Sequence, residues 1–311
     1  MGIANDFMNS FFAAYPYAKS GNLSMKELNR LIGEYKQKIN SNPLDDFDGL
    51  SPEQMDRLLY TPFAPEAVIQ FRKGIDAHVD KVPFFKLSEI LLHEIKKSGH
   101  LKLTIKGNLP IRICELLCNQ NLIYWPFMEF VKRIREEEVP YLWPLKQYLL
   151  DQGLVKKRNN TLSLTKNGEK LLEGPQEIRF IQIFNYMASR FHWGNFYHLQ
   201  DEGKCGQFGW AFSLFLLAKY GEKSQKSEFY SQKLIRAFEN GLWDALQKGK
   251  ESTAIQDYHH AYETRFFECF TNWFGLVKIE RSKDDRISFF DQLSITKSEL
   301  FDQLFEVKIE K

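Results

Sequence analysis

The apolar positions between residues 82 and 120 follow an ordered series of spacings. A helical stripe comes first, consisting of Leu87, Ile90, Leu91 and Ile95. It stops at Gly99, which predicts a helix of about four turns. The next residues, "HLKLT", alternate between polar and apolar and predict a short strand. Asn108 then precedes a second apolar stripe and is predicted to cap a second helix, with Pro110 in its first turn.

Two further helices and a hairpin are predicted between residues 125 and 174. An apolar stripe predicts a helix around 125 to 138 and consists of Phe127, Phe130, Val131 and Ile134. A fourth helix starts near Pro144 and ends at Gly153. "LVKK" and "TLSLT" alternate as strands around the turn residues "RNN", and Thr165 is predicted to cap the next helix. Helix, short strand, helix, helix and hairpin is the order of a winged helix-turn-helix, here with one inserted helix.

Two Leu-Thr-x-x-Gly stretches occur in this segment, "LKLTIKG" from Leu101 and "LSLTKNG" from Leu162. Their places in the chain predict two neighbouring strands of one small sheet rather than copies of a repeat. The better repeat is a pair of hairpins, "GLVKKRNNTLSLTK" and "GLVKIERSKDDRISFFDQLSITK", which share a beginning and an end. In this match Thr165 corresponds to Thr296, and Thr296 with Glu299 fits a capping box before a last helix.

The rest of the chain is predicted to be mainly helical. Two capping boxes begin helices in the first eighty residues, at Ser24 with Glu27 and at Ser51 with Gln54. Between them, "NSNPLDDFDGL" lacks the first and last ligands of a calcium loop and is predicted to be a solvated loop. After Pro175, apolar stripes and the run "FGWAFSLFLLA" predict a small helical bundle.

These patterns predict a mainly α fold with minor β content. It contains a winged-helix-like domain with small β-hairpins, a helical bundle and a second winged-helix-like module at the C-terminal end. The predicted domains are an N-terminal helical segment at 1–80, a winged-helix-like domain at 81–174 and a helical domain at 175–311 that ends in the second hairpin module.

Composition and charge add little to this architecture. The net charge of +2 over 311 residues is too small to indicate a nucleic-acid or membrane partner by itself. Four cysteines do not form a disulfide scaffold, and no signal-peptide pattern is present at the start. The most apolar run is much shorter than the roughly 20 residues that a membrane-spanning helix needs. The predicted location is therefore the cytoplasm, with no membrane partner.

Three sequence segments carry a resemblance to a known group of proteins. They are "NPLDDFDGLSPEQMDRLLYTPF", "LKLTIKGNLPIRICELL" and "GLVKKRNNTLSLTKNGEKLL". With its Gly-Leu-Ser-Pro-Glu-Gln-Met and Leu-Thr-x-x-Gly-Asn-Leu-Pro segments, the chain resembles an uncharacterised bacterial protein family of unknown function over about residues 42 to 174. The hairpin is also similar to the wing of bacterial winged-helix regulators. Neither resemblance implies a catalytic residue or a ligand.

Nucleic-acid binding is the sharpest functional hypothesis. The segment from Gly153 to Lys170 contains a single acidic residue and the basic residues Lys156, Lys157, Arg158, Lys166 and Lys170. Asn159 and Asn160 at the predicted tip are candidates, with Arg158, for contacts to phosphates or a minor groove. Further candidates for the same surface are Lys96, Lys97, Lys102, Lys106 and Arg112. The fourth helix offers Lys146 beside Gln147 and Asp151. This is too few polar side chains to read bases, so Lys146 is predicted to contact a phosphate. A lysine-rich hairpin is equally typical of a solvated edge that resists aggregation.

No catalytic or metal-binding motif is evident. Cys114 and Cys118 share one face of a predicted helix without a second pair nearby, so they are predicted to be buried thiols. His192 with His198, the adjacent pair His259 and His260, and the turn residues Asp284 and Asp285 give no recognisable site either. The sequence predicts no enzymatic activity, no cofactor and no metal.

The leading hypothesis is a non-enzymatic winged-helix-type regulator that binds nucleic acid through the basic hairpin. The alternative is a protein–protein interaction scaffold, with a protein partner or as a homodimer, because winged-helix modules also bind proteins. Aromatic residues between 262 and 274 recur at helical spacing, which favours a core position over a ligand pocket.

Overall fold

The computed structural model describes residues 3–196, 204–238, 251–281 and 293–308. Within them helices predominate and small antiparallel sheets complete the fold, which confirms the mainly α class. The helices are α1 Ile3–Ala14, α2 Met25–Ser41, α3 Pro52–Tyr60, α4 Pro83–Ser98, α5 Ile111–Cys118, α6 Leu142–Asp151, α7 Lys166–Glu173, α8 Gln176–Asn185, α9 Lys204–Gln207, α10 Trp210–Tyr220, α11 Ser227–Ala237, α12 Glu251–Tyr262 and α13 Glu299–Leu304. The strands are β1 Ile69–Phe71, β2 Leu101–Lys102, β3 Val155–Arg158, β4 Thr161–Leu164, β5 Gln225–Lys226, β6 Val277–Glu280, β7 Ser294–Lys297 and β8 Phe305–Val307.

The first module runs from α4 to α7 and has the predicted order of helix, short strand, helix, helix and hairpin. Its sheet has the strand order β2-β4-β3, with Leu101 opposite Leu162 and Lys102 opposite Thr161. The two Leu-Thr-x-x-Gly stretches are therefore neighbouring strands, as predicted. Thr104 and Gly107 close a turn in the first stretch, whereas the second stretch leads into α7.

The predicted helix at 125 to 138 is wrong. The insert between α5 and α6, residues 119–141, contains only the short 3-10 turns Met128–Phe130 and Glu136–Glu138. Asn108 does not cap α5 either, because its side chain donates to Glu137 Oε2 at 2.7 Å. Ile134 packs against the core from irregular backbone and Phe130 is exposed, so the helical spacing of the stripe does not mark one buried face.

The second module repeats this order between α10 and α13. Helix α10 is followed by β5, α11 and α12, and α12 continues as the π-helix Glu263–Thr271 before the hairpin of β6 and β7. The sheet order β5-β7-β6 matches the order β2-β4-β3 of the first module. The repeated hairpin that the sequence predicts is therefore part of a longer repeated order of elements.

The two hairpins are closed in the same way. Gly153 and Gly275 end the preceding helices with φ of 62° and 68°, a left-handed conformation that glycine adopts at little cost. The hydroxyl of Thr165 donates to the Gly153 carbonyl at 2.6 Å, and that of Ser298 donates to the Gly275 carbonyl at 2.7 Å. Thr165 and Ser298 then cap the following helices.

The predicted capping role of Thr296 is consequently wrong by two residues. Thr296 lies inside β7 opposite Lys278, and it is Ser298 that accepts the N–H of Phe301. A shift of two residues along a strand keeps the same side chains on the same face, so the alternating pattern alone cannot exclude it.

One hydrophobic core extends from Leu50 to Phe305 and includes both modules. Strand β1 pairs with β8, which joins the segment before the first module to the end of the second. Among the described residues, a separate small cluster is formed by α1, α2 and the segment between them, around Phe11, Ala18 and Leu31. The predicted boundaries at 80 and 174 therefore do not separate hydrophobic cores.

The predicted solvated loop between α2 and α3 instead contacts the second module. The Asp48 carboxylate accepts hydrogen bonds from Lys233 Nζ at 2.8 and 3.0 Å and from the Tyr220 hydroxyl, and its side chain is only 8% exposed. Asp46 pairs with Arg236 at 2.6 Å. The acidic residues of the loop thus complement Lys233 and Arg236 on α11, and Lys219 on α10 lies 3.9 Å from the Asp48 carboxylate. His198, Asp284 and Asp285 lie outside the described residues.

Close packing explains why the second Leu-Thr-x-x-Gly stretch has glycine at position 168. A Cβ at this position would overlap the Leu154 carbonyl oxygen, although the glycine has an ordinary helical backbone. We expect Gly168→Ala to lower the free energy of unfolding by about 1–3 kcal/mol, because close packing leaves no room for a methyl group. Urea denaturation measures the change.

Asn167→Ala is the matched control, since Asn167 is exposed one residue earlier in α7. It should alter the free energy of unfolding by less than about 0.5 kcal/mol. Equal stability of the two variants would show that close approach to Leu154 does not require glycine at position 168.

Candidate nucleic-acid interface

The register of the first module's sheet brings three cations to one face. Residues directly opposite each other in an antiparallel sheet point to the same side, and alternate residues along a strand point to opposite sides. Lys102 lies opposite Thr161, which lies opposite Arg158, and Lys156 is two residues before Arg158. Lys102, Lys156 and Arg158 therefore share the exposed face of the sheet, which we call the basic face. Within the described residues none of the three forms an ion pair.

The hairpin turn is held against the turn that follows β2. Asn159 and Asn160 have φ of 47° and 58°, as a two-residue type I′ turn requires. The Asn160 side chain donates to the Thr104 carbonyl, and its own carbonyl accepts the Leu103 N–H at 2.8 Å. Asn159 is exposed at the tip, as predicted. The two turns thus form one edge of the basic face.

The other hairpin candidates occupy different positions. Lys157 points to the opposite face of the sheet from Lys156, and its ammonium lies beside Gly107. Lys166 and Lys170 are exposed one turn apart on α7. The structure therefore places Lys156 and Arg158 on one face of the sheet with Lys102. Lys157 lies on the opposite face, and Lys166 and Lys170 lie on α7.

Lys146 is not part of this surface. Its ammonium is buried, donating to Glu136 Oε1 at 2.5 Å and to the Gly107 carbonyl at 2.9 Å. The other Glu136 oxygen accepts the Leu109 N–H at 2.6 Å. Lys146 must be removed from the set of candidate nucleic-acid contacts, because its charge is used inside the protein. Its position three residues before Leu149 on the apolar face of α6 could have indicated this from the sequence.

Helix α6 as a whole is covered. Only Trp143 and Asp151 among its residues are exposed, and each contacts the segment after α8. The Trp143 ring lies 5.7 Å from that of Phe191, and Asp151 accepts the Tyr186 hydroxyl at 2.6 Å. In a winged helix-turn-helix this helix would read bases, and here it has almost no free surface for doing so.

Ile105 was not singled out by its sequence pattern. It is wholly exposed in the turn after β2, between Thr104 and Lys106. Its side chain thus presents an apolar group at the turn that borders the basic face. The nearby Lys102 and Lys106 are the sequence signal that could have marked it.

No cluster of three or more potential metal ligands occurs among the described residues. The predicted core positions of Cys114 and Cys118 are confirmed, because both thiols are buried and neither forms a disulfide bond. None of the described helices has the length and apolar character needed to cross a bilayer. Comparison with known protein families, curated proteins and solved structures found no match, so the resemblance to an uncharacterised family stays a prediction.

The buried position of Lys146 leads to a stability prediction. We expect Lys146→Met to lower the free energy of unfolding by about 3–5 kcal/mol, because Glu136 is then buried without its cation. Chemical denaturation at neutral pH measures the change.

Lys170→Met is the control, since it removes the same charge from an exposed position of α7. It should change stability by less than about 0.5 kcal/mol. If both variants were equally stable, the carboxylate of Glu136 would not depend on the Lys146 ammonium.

Proposed function

We propose that this protein is a non-enzymatic regulator that contains two winged-helix-like modules and binds nucleic acid through the basic face of the first. The phosphate backbone is the expected contact. This proposal rests on the position of Lys102, Lys156 and Arg158 on one exposed face of the sheet. Among the described residues, none of the three has an ion-pair partner.

The spacing of these cations suits a phosphate backbone. Neighbouring strands lie about 4.8 Å apart, so Lys102 and Arg158, separated by one strand, are roughly 10 Å apart at the backbone. Long flexible side chains from these positions can reach successive phosphates along one nucleic-acid strand. Thr161 and Ser163 lie between them on the same face and offer hydroxyl donors.

The covered α6 makes sequence-independent binding the expected mode. Base edges are read by side chains that enter a groove, and the helix that would supply them is packed against residues 186–191. Ile105 supports contact with sugars or an opened base step, since exposed apolar side chains act in this way in proteins that bind without strong sequence preference. We therefore expect similar affinities for duplexes of different sequence.

The test reverses the charge of the basic face. Lys156→Glu combined with Arg158→Glu should weaken binding at least about tenfold and lower the slope of log K against log salt by roughly 2, since two phosphate contacts are lost. Fluorescence anisotropy with labelled duplex and single-stranded DNA and RNA, over a series of salt concentrations, measures both quantities.

Lys26→Glu combined with Lys38→Glu is the control variant. It makes the same change in net charge on exposed positions of α2, far along the chain from the hairpin, and should retain wild-type affinity. The proposal fails if the wild type shows no salt-dependent binding to any of these nucleic acids, or if both double variants lose affinity equally.

A second candidate function, association with a protein or with another copy of the chain, is favoured by the insert of the first module. Tyr124 and Phe130 are 76% and 66% exposed there. Aromatic side chains are enriched at protein interfaces, where burial of each ring stabilises the complex.

Self-association through this insert is tested by Phe130→Ser. If the chain forms a dimer through the insert, the substitution should shift the monomer–dimer equilibrium toward the monomer in sedimentation velocity. Tyr60→Ser, at another exposed aromatic position, is the control. A wild type that is monomeric at every concentration would exclude self-association as the role of Phe130.

A further inference from the structure

A cavity of about 700 Å³ lies between the two modules. One wall is residues 124–127 of the insert, and the other comprises the π-helix after α12 and strand β6. Its volume is in the range of small-molecule sites, which are usually concave and hold aromatic walls with a few polar groups. The basic face belongs to a different part of the first module, so the cavity is a separate feature.

The wall formed by the insert is aromatic. Tyr124 and Trp125 line it, and Trp273 lines the opposite side. Planar rings are the groups that stack on such a wall.

The acidic side chains of the cavity already have partners within the protein. Glu268 forms an ion pair with Arg281, and Glu263 accepts hydrogen bonds from the Ser227 hydroxyl and from the Leu293 N–H at 3.3 Å. Burial raises the pKa of the Glu263 carboxyl above its ordinary value, while these hydrogen bonds act in the opposite direction. Arg281 thus neutralises Glu268, and Glu263 is held by hydrogen-bond donors of the protein itself.

Two basic side chains line the cavity at its β6 side. Lys278 on β6 is exposed at the cavity and has no ion-pair partner in the described ranges. Arg281 lies three residues further along and keeps additional N–H donors beyond the one that contacts Glu268. A ligand that places an anionic group here would gain a charge-assisted hydrogen bond.

The π-helix contributes several polar side chains to this wall. Glu263, Thr264 and Glu268 line the cavity, and π-helical turns are uncommon and concentrate at functional sites. At the corresponding position of the first module, α6 is an ordinary α-helix. The cavity is therefore a feature in which the two modules differ.

We propose that this cavity binds a small planar aromatic molecule that carries an anionic group, with the ring against Tyr124 and Trp125 and the anion at Lys278 and Arg281. Two chemical sources fit this description, a nucleoside monophosphate and an aromatic carboxylic acid. The ligand contacts both modules, so its binding energy stabilises their present arrangement.

Isothermal titration calorimetry with the full chain tests the proposal. The probes are AMP, GMP, CMP and UMP in one arm, and benzoate and 4-hydroxybenzoate in the other, each at up to about 5 mM. Saturable binding in either arm supports an aromatic anion site, and the arm that binds identifies the source. The absence of binding in both arms overturns the proposal.

Variants locate the site. Lys278→Glu should weaken binding about tenfold or more, because it replaces an attractive charge by a repulsive one. Lys226→Glu is the matched control, since Lys226 is exposed on β5 at the far edge of the same sheet. Tyr124→Ala, at a side chain that is mostly exposed and tolerates substitution, should weaken binding through loss of ring contact.

Binding that both Lys278→Glu and Tyr124→Ala leave unchanged would place the ligand elsewhere and overturn the proposal. The variant with Lys156→Glu and Arg158→Glu should bind the probe as the wild type does. A nucleotide that instead binds at the basic face would lose affinity in that variant, so failure of this inference and failure of the proposed function are distinguishable.

Discussion

The buried ion pair between Glu136 and Lys146 connects three parts of the first module. It joins the insert to α6, and through the Gly107 carbonyl and the Leu109 N–H it also fixes the turn that follows β2. That turn contacts the hairpin through Asn160. The pair therefore helps to position both the edge of the basic face and the insert whose residues 124–127 form a wall of the cavity. Two charges removed from water are tolerated there because each has additional hydrogen bonds.

The two modules use one order of elements for different surfaces. In each, a left-handed glycine ends the third helix and a hydroxyl closes the hairpin before capping the next helix. In the first module the hairpin presents cations to solvent. In the second, β6 lines a cavity with Lys278 and Ile279. The shared closure fixes the backbone, and the residues between the closing positions determine what each sheet can contact.

Local patterns predicted a large part of the fold. Helix α4, the hairpin of β3 and β4, the capping boxes at Ser24 and Ser51, and the buried helix α10 are all present. Each depends on interactions between residues close in the chain, which spacing and turn chemistry record directly. The insert escaped prediction because its apolar residues follow a helical spacing without sharing one buried face: Ile134 packs against the core, whereas Phe130 is exposed. The contact of Asp48 with Lys233 escaped it because the partners are far apart in sequence.

The candidate sites likewise combine features that the sequence predicted with features that only the tertiary structure shows. The sequence by itself determined the basic composition of the hairpin, the turn at Asn159 and the pairing of the two Leu-Thr-x-x-Gly stretches, because strand alternation and turn residues act locally. Only the tertiary structure decided that Lys146 is buried against Glu136, that α6 is covered by Tyr186 and Phe191, and that the insert and the π-helix enclose a cavity. Those outcomes depend on which distant surfaces pack together, and that is set by the burial of a core shared by both modules.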